Sequence, residues 1–359
     1  MNRTQELQDR VRAACNDKTM LKIVGGNSKH FYGNTNITSN ASKVEVIETR
    51  IHQGIISYEP SELVITARAG TPLKEIEDLL AENNQMLPFE PPHFGEHATL
   101  GGVIATGLSG SRRPFTGSVR DFVLGTKILT GKGDIMSFGG QVMKNVAGYD
   151  VSRLMVGALG TLGVLLEVSI KVLPLPHTEV TQCLGMSQQN ALKTMHELNQ
   201  TSLPLSALAY EGDKLYVRLS GALSAVTSAQ KKIGGETLVH ADKFWQQLNE
   251  QTHPFFESGK SLWRLSVPYT AKVDLNENSF IDWAGGLYWI NSDKEAEEIQ
   301  QHAIEQNGSA TLFKVANNSQ LHQERFMPLE AKIKQLHINL KLRFDPYGIL
   351  NYGRLYSEL

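Results

Sequence analysis

Three glycine-rich segments, each beside an apolar run, constrain what this chain can fold into more than any other feature. The longest is Ala98-Thr99-Leu100-Gly101-Gly102-Val103-Ile104-Ala105-Thr106-Gly107-Leu108-Ser109-Gly110, built around a strand-like core. The other two are Gly25-Gly26-Asn27-Ser28-Lys29 and Gly157-Ala158-Leu159-Gly160-Thr161-Leu162-Gly163. Small side chains let an extended ligand lie directly against backbone N–H groups. Three such segments in one chain predict a site for one large ligand.

Composition excludes several classes of function. The net charge of −2, with both signs interspersed, gives no basic footprint for nucleic acid. The only cysteines, Cys15 and Cys183, form no C-x-x-C motif, which excludes a cysteine-ligated iron–sulfur cluster within this chain and indicates a reducing compartment. The longest apolar run, 155–166, is too short for a membrane span, and the first residues lack a secretory signal. We therefore expect a cytoplasmic protein.

The length and the hydrophobic patterns predict more than one structural unit. A chain of 359 residues exceeds one average domain. Glycine is dense up to residue 175 and sparse afterwards, and Pro174 and Pro176 mark the change. Helical spacing predicts helices near 4–15, 73–80, 187–199, 296–306 and 321–342. Strands are predicted at 21–24, 63–67, 103–105, 122–129, 164–172, 180–184, 207–210, 215–219, 262–267 and 287–290.

Several familiar sites are absent or incomplete in the sequence. There is no G-x-G-x-x-G for a Rossmann unit and no G-x-S-x-G for an esterase. Gly259-Lys260-Ser261 resembles the end of a P-loop, but Pro254 stands where its first glycine belongs. His93 and His97 are four residues apart in a loop-like segment without H-E-x-x-H, so we expect no metal site.

The glycine-rich segments and their flanks resemble the vanillyl-alcohol oxidase / p-cresol methylhydroxylase (PCMH-type) family of flavoproteins. The motifs that carry this resemblance occur in order at 98–107, 117–125, 144–150, 153–157, 160–164 and 345–354. Within the family, segments 25–29, 86–93, 244–248 and 281–286 are similar to those of FAD-binding subunits of bacterial glycolate oxidase complexes. As an ordered set, these motifs are specific.

The resemblance implies an α+β fold with a bipartite PCMH-type FAD-binding domain, built of two α/β subdomains, and an α+β cap domain with an antiparallel sheet. It implies domain ranges of 1–175 for FAD binding, 176–320 for the cap, and 321–359 for a helix and tail that return to the FAD domain. The implied cofactor is FAD. The residues expected to contact it are Gly25, Gly26, Asn27, Ser28, Lys29, Pro91, Thr99, Gly101, Gly102, Ala105, Thr106, Gly107, Ser109, Gly110, Asp121, Gly160, Thr161, Gly163, Val164 and Asn351.

Two departures from the family pattern refine this expectation. Members with covalently attached flavin carry histidine in a Gly-Gly-His-Ser loop; Asn27 stands at that position, so we expect non-covalent FAD. Full-length 2-hydroxy-acid dehydrogenases of the family carry an H-x-G-D-x-N-x-H segment near the flavin, which residues 176–343 lack. We name no catalytic residue, because no spacing connects the candidate cap groups His196, Arg218, His240, His253 and Arg264.

The resemblance therefore implies a subunit of a larger enzyme. The complex oxidises a small 2-hydroxy acid, glycolate, to glyoxylate; a sister FAD subunit holds the substrate site, and an iron–sulfur subunit takes the electrons. Partner subunits are expected to place the cytoplasmic complex on the inner membrane. The alternatives are a self-sufficient FAD-dependent dehydrogenase, for instance of D-lactate, a UDP-sugar enolpyruvyl reductase that uses NADPH, and a structural subunit whose flavin never turns over.

Overall fold

A computed structural model of the chain describes residues 2–35, 43–140, 150–275, 277–316 and 324–359. Nearly all of the predicted 144–150 motif lies outside these ranges. The helices in the described part are α1 (Thr4–Asp17), α2 (Leu73–Glu82), α3 (Leu100–Thr106), α4 (Arg113–Thr116), α5 (Val119–Phe122), α6 (Val151–Leu154), α7 (Gln188–Asn199), α8 (Leu223–Ile233), α9 (Ala241–Glu250), α10 (Ala296–Glu305) and α11 (Ala331–Phe344).

The described strands form two larger antiparallel sheets and two short pairs. They are β1 (Met20–Val24), β2 (Val44–Glu48), β3 (Ile55–Glu59), β4 (Val64–Arg68), β5 (Gln85–Met86), β6 (Val123–Leu129), β7 (Ile135–Gly139), β8 (Val164–Lys171), β9 (Leu173–Pro174), β10 (Thr178–Gly185), β11 (Leu205–Glu211), β12 (Lys214–Gly221), β13 (Glu236–Thr237), β14 (Leu262–Ser266), β15 (Ser279–Asp282), β16 (Leu287–Asn291) and β17 (Ser309–Lys314). The predicted strands other than 103–105 are confirmed, with small shifts of their boundaries.

The N-terminal part contains two layers of different build. Strands β1 and β2 pair in parallel, and α1 packs on them through Leu7 and Val11, which are fully buried at helical spacing. A five-stranded sheet follows in the order β3-β4-β8-β6-β7, with every neighbouring pair antiparallel. Helices α2 and α3 bury Leu73, Ile76 and Ile104 in the core of this sheet.

The strand predicted at 103–105 is wrong, because this segment belongs to helix α3. The Thr99 side chain accepts a hydrogen bond from Gly102 N (3.3 Å), and the helix ends at Gly107 in the left-handed conformation (φ 63). An N-cap threonine and a glycine after the last turn are common helix boundaries. A short apolar run fits helix and strand equally well, and here the two caps decide.

The second part is an eight-stranded antiparallel sheet in the order β13-β10-β12-β11-β15-β16-β14-β17. One face is covered by α7, α8 and α10 through the buried residues Met195, Val226 and Ile299. The other face carries a mainly aromatic hydrophobic cluster, to which Tyr32 and Leu159 from the N-terminal part belong. The mixed fold with antiparallel sheets confirms the predicted α+β class. None of the helices within the described ranges has both the length and the apolar composition that a bilayer crossing requires.

The C-terminal helix begins later than predicted, at Ala331 rather than near 321. Pro328 accounts for part of the difference, because proline lacks an N–H donor and disfavours helix at the residue before it. After α11 the tail runs beside β1, where Leu21 N donates to Ile349 O (2.7 Å) and Asn351 N donates to Leu21 O (3.0 Å). The tail thereby extends the edge of the β1–β2 pair.

Candidate functional site

A solvent-open cleft of about 1150 Å³ lies where the glycine-rich segments meet. The structure brings residues of all three segments to its wall, together with the C-terminal tail. The residues singled out in the sequence that line it are Gly25, Gly26, Asn27, Ser28, Lys29, Thr99, Gly101, Gly102, Ala105, Thr106, Gly160, Gly163 and Asn351.

The other residues expected at the ligand lie away from the cleft wall. Asp121 instead accepts hydrogen bonds from Ser118 N and Oγ (both 2.8 Å) and so caps α5. Thr161 and Val164 are buried, and Gly107 ends α3. The remaining three line two other pockets: Pro91 in one, and Ser109 and Gly110 in a smaller cavity.

The first glycine-rich loop presents free backbone donors. None of the backbone N–H groups from Gly25 to Lys29 donates a hydrogen bond to a described residue. Asn27 has a left-handed backbone (φ 61), which turns the loop. Successive N–H groups in such turns form anion-binding concavities. This loop is therefore suited to hold a phosphate group.

Glycine at position 26 allows the first two segments to meet. A Cβ added there would lie 1.3 Å from the carbonyl oxygen of His97, a backbone atom that cannot move aside cheaply. The 25–29 loop thus packs directly on the residues that precede α3. This contact explains how two segments distant in sequence line one cleft.

Arg354 brings positive charge to the cleft wall, and the sequence analysis did not single it out as a contact residue. Its guanidinium donates to the carbonyl oxygens of Asn34 (2.8 Å) and His30 (2.7 Å), and burial lowers its pKa to about 10. Neutral carbonyls fix the group without cancelling its charge, so it favours an anionic ligand. The only sequence signal for it is the tail motif 345–354, which ends on this arginine.

Asn351 connects the tail to two walls of the cleft. Its side-chain oxygen accepts from Ile23 N (2.8 Å), and its amide nitrogen donates to Leu159 O (2.7 Å). Both ends of this amide are occupied by backbone partners from β1 and from the third glycine-rich segment. Asn351 therefore positions the walls of the cleft.

Of the candidate cap groups, two have structural partners and two lie away from the cleft. Arg218 is buried and forms an ion pair with Glu90 (2.8 Å), which also pairs with Arg112 (3.2 Å). His196 stacks on the exposed ring of Tyr269 (5.6 Å between centroids). These two residues have structural partners. The remaining histidines, His240 and His253, precede α9 and a short turn, and neither lines the cleft.

Comparison with known proteins decides the family. Residues 1–139 match the family described as FAD binding domain. Glycolate oxidase subunit GlcE of Escherichia coli (strain K12) is 47% identical over 357 residues, which covers 99% of this chain and 98% of that protein. The chain belongs to the GlcE family of glycolate oxidase subunits. FAD is accordingly the cofactor, and the chain is an FAD-dependent oxidoreductase of the 2-hydroxy-acid group.

A more distant relative matches only about half of this chain, whereas a solved structure matches nearly all of its fold. Glycolate oxidase subunit GlcD of Bacillus subtilis (strain 168) is 28% identical over 172 residues, covering 48% of this chain and 36% of that protein. A solved structure of alkyldihydroxyacetonephosphate synthase superposes with a TM-score of 0.69 at 14% identity, over 97% of this chain and 75% of that one. The second likeness shows that the fold is shared.

The residues that line the cleft fit FAD. An added Cβ on Gly102 would have Thr99 Oγ1, at 3.4 Å, as its only described neighbour within 4 Å, so this face of α3 is open. A flat or flexible part of the cofactor has room against that face. The free N–H groups of 25–29 and the nearby Arg354 suit the charge of its diphosphate.

Lys29 gives the stability of the apoprotein a pH dependence that can be measured. Burial lowers its pKa from 10.5 to about 8, while the acids Glu250 and Glu77 oppose that shift. Between these values the unfolded chain holds a proton that the folded chain has lost, so stability rises with pH. Relative to a Lys29→Met variant, wild type is expected to gain about 2 kcal/mol of unfolding free energy from pH 7 to pH 9.5.

Urea titration of both apoproteins at the two pH values checks this expectation. The difference between wild type and Lys29→Met isolates Lys29 from the other groups that titrate in this range. A difference that stays constant with pH would show that Lys29 keeps an ordinary pKa in the folded protein.

Proposed function

We propose that this chain binds FAD non-covalently and acts as the FAD-binding subunit of a complex that oxidises glycolate to glyoxylate. The observation that carries the proposal is the row of free N–H donors from Gly25 to Lys29 at the cleft where the glycine-rich segments converge. FAD, when bound, supplies the two-electron acceptor for the oxidation. The full-length likeness to glycolate oxidase subunit GlcE supports the substrate.

Non-covalent attachment is supported by the residues near the cleft. Asn27 stands in the loop position where covalent members of the family carry histidine, and an amide does not form that bond. The two cysteines offer no alternative. Neither Cys15 nor Cys183 lines the cleft, and burial raises the pKa of both thiols, which makes them less reactive.

The proposed partners are a sister FAD subunit and an iron–sulfur subunit that receives the electrons. The subunit names of the relatives, GlcE and GlcD, support a complex of several chains. A cysteine-ligated iron–sulfur cluster needs four cysteine ligands, and this chain has two cysteines. An iron–sulfur acceptor for the electrons would therefore belong to another subunit. We place the complex in the cytoplasm, held at the inner membrane by its partners; the free thiols of this chain fit a reducing compartment.

The domain division proposed for this function is 1–175, 176–320 and 321–359. The arrangement of the strands supports it, since β10 to β17 all belong to the eight-stranded sheet and the five-stranded sheet ends before them. The contacts of the tail with β1 support its assignment to the FAD-binding part.

Release of flavin from the purified holoprotein tests the proposal. We expect about one FAD per chain, released into the supernatant by heat or acid, with its free spectrum. In material purified from the native source, we expect iron and labile sulfide in the complex and flavin reduction by glycolate. Colourless protein that takes up no added FAD would overturn the proposal. Flavin that stays with the precipitate would overturn non-covalent attachment, and reduction by NADPH would favour a reductase.

A further inference from the structure

A second, smaller cavity lies between the residues that follow α3 and the inner face of the eight-stranded sheet. It has a volume of about 350 Å³, including its open side, and its polar lining residues are Ser109, Ser111, Asn249, Gln251, Arg264 and Asp282. The run that starts at Thr99 lines the cleft up to Thr106 and then lines this cavity from Leu108 onward. A ligand laid along this run therefore points toward the cavity.

Arg264 is a cation in this cavity that forms no ion pair with a described carboxylate. It stands on β14, and burial lowers the pKa of its guanidinium. No carboxylate in the described ranges forms an ion pair with it, and the segments outside those ranges contain no Asp or Glu. Arg218, on the same sheet, is satisfied by Glu90 and Glu179. Arg264 is half-buried, and a partly desolvated guanidinium without an ion-pair partner favours a bound anion.

A second guanidinium, that of Arg113, contacts the same indole ring as Arg264 but does not line the cavity. The Arg113 guanidinium lies 4.1 Å from the centroid of Trp283, and the Arg264 guanidinium lies 4.9 Å from the same ring. Arg113 has its pKa lowered to about 10, by burial first and by the charge of Arg264 second. Two like charges around one indole repel each other, and a bound anion would relieve that repulsion.

Asp282 attracts Arg264 electrostatically but forms no ion pair with it. Its oxygens accept from Ser111 Oγ (2.8 Å) and Trp283 N (2.7 Å), and it forms no ion pair with a described cation. Burial raises its pKa to about 7, so near neutral pH it carries only part of a negative charge. Its contacts also hold the turn after β15, where Trp283 and Ala284, which do not line the cavity, have left-handed backbones (φ 52 and 56).

Gln251 adds an independent sign of a missing ligand. Its side chain is only 7% exposed, it lines the cavity, and neither its amide nitrogen nor its amide oxygen has a partner among the described residues. Buried amides in folded proteins are nearly always hydrogen-bonded. The amide NH2 group and the amide oxygen of Gln251 are therefore left for a polar group in the cavity.

We propose that this cavity binds a small 2-hydroxy carboxylate, with Arg264 holding the carboxylate and Gln251 hydrogen-bonding the hydroxyl group. The identity of the ligand rests on the proposed function, whereas the open guanidinium and amide stand without it. This assigns a hydroxy-acid site to the present chain, although the missing histidine segment predicted that a sister subunit holds the substrate.

Tryptophan emission of the FAD-loaded protein reports on this site, because Trp283 and Trp289 both lie beside Arg264. We expect saturable quenching by glycolate, with acetate and uncharged glycolamide binding at least about 10-fold more weakly, since each lacks one polar contact. Arg264→Met is expected to weaken glycolate binding at least about 10-fold, and Arg264→Lys less. Gln251→Leu is expected to reduce the preference for glycolate over acetate. Arg343→Met, at an exposed arginine on α11, is the control and should bind like wild type.

Flavin absorbance of the same samples separates this inference from the proposed function. Stoichiometric FAD together with no glycolate-dependent quenching, or with equal affinity in wild type and Arg264→Met, would overturn the site and leave the FAD-binding role intact. Wild-type protein that never takes up FAD would overturn the proposed function instead. Should Arg264→Met fail to fold, Gln251→Leu decides: an unchanged preference for glycolate over acetate would overturn the site.

Discussion

Replacing Gly102 with valine is expected to remove FAD from the protein while the fold stays intact. Gly102 lies within α3 at the cleft wall, with a backbone conformation that any residue can adopt. An added Cβ meets only Thr99 Oγ1, at 3.4 Å, among the described atoms within 4 Å, so a side chain there has room beside the cleft. We propose that the cofactor occupies that space in the holoprotein.

The expected effect on binding is large because overpacking a close contact costs about 1–3 kcal/mol. This corresponds to FAD binding weakened about 5- to 150-fold. The folded apoprotein should not suffer, since valine is a slightly better helix former than glycine. Flavin content after gel filtration and the dissociation constant for added FAD measure the effect. Gly102→Ala is expected to lose less affinity than Gly102→Val.

Gly185→Val is the matched control. Gly185 is exposed at the end of β10, has no described neighbour within 4 Å of an added Cβ, and does not line the cleft. The same substitution therefore tests valine for glycine without a cofactor contact. If Gly102→Val holds FAD as tightly as Gly185→Val, the cofactor does not lie against α3.

A Gly160→Val variant cannot be interpreted in the same way as Gly102→Val, because the structure places Gly160 in a different environment. Its place in a glycine-rich segment suggests that a side chain would meet the cofactor, as at Gly102. The structure gives it a left-handed backbone (φ 74), and an added Cβ would lie 2.8 Å from Asn351 Nδ2. A valine there would strain the turn and displace the side chain that connects β1 to the third segment. Loss of FAD from that variant would report on folding of the wall.

The glycine-rich segments of this site could be predicted from the sequence, whereas the contacts between residues distant in sequence could not. Glycine-rich composition predicted the cleft-lining segments, because side-chain-free backbone is a property of the residues themselves. Helix α3 was predicted as a strand, since its apolar core is too short to show a period. The guanidinium of Arg354 reaches a backbone oxygen 320 positions earlier in the chain, and such a pairing has no signature in a single sequence. Arg264 is among the candidate cap groups named from the sequence, but only the structure shows that it differs from Arg218 in having no ion pair.

Replacing Asp345 with alanine is expected to be the most destabilising single change in the C-terminal part. Asp345 is fully buried and pairs with Lys341 Nζ at 2.7 Å. The same ammonium donates to the carbonyl oxygens of Thr161 (2.8 Å) and Leu350 (2.8 Å). The carboxylate also accepts from Leu350 N (2.8 Å). This pair therefore joins α11, the tail and the third glycine-rich segment.

Removing one partner of a buried ion pair costs about 3–5 kcal/mol, because the other charge stays buried without compensation. Burial already lowers the pKa of Lys341, and Asp345 opposes that shift. Urea denaturation of the apoprotein measures the loss. FAD affinity should fall as well, since the tail carries Asn351 and Arg354 at the cleft wall.

The double variant Lys341→Met/Asp345→Leu separates a buried charge from simple loss of contacts. It removes both charges, so we expect it to be more stable than Asp345→Ala even though it changes more of the site. Glu197→Ala serves as the control, because Lys193 and Glu197 have the same four-residue spacing but are exposed, and such pairs contribute about 0.3–0.5 kcal/mol. If Asp345→Ala cost no more than Glu197→Ala, the tail would be held by its backbone contacts with β1 alone. The stability of the cleft wall would then not depend on this ion pair.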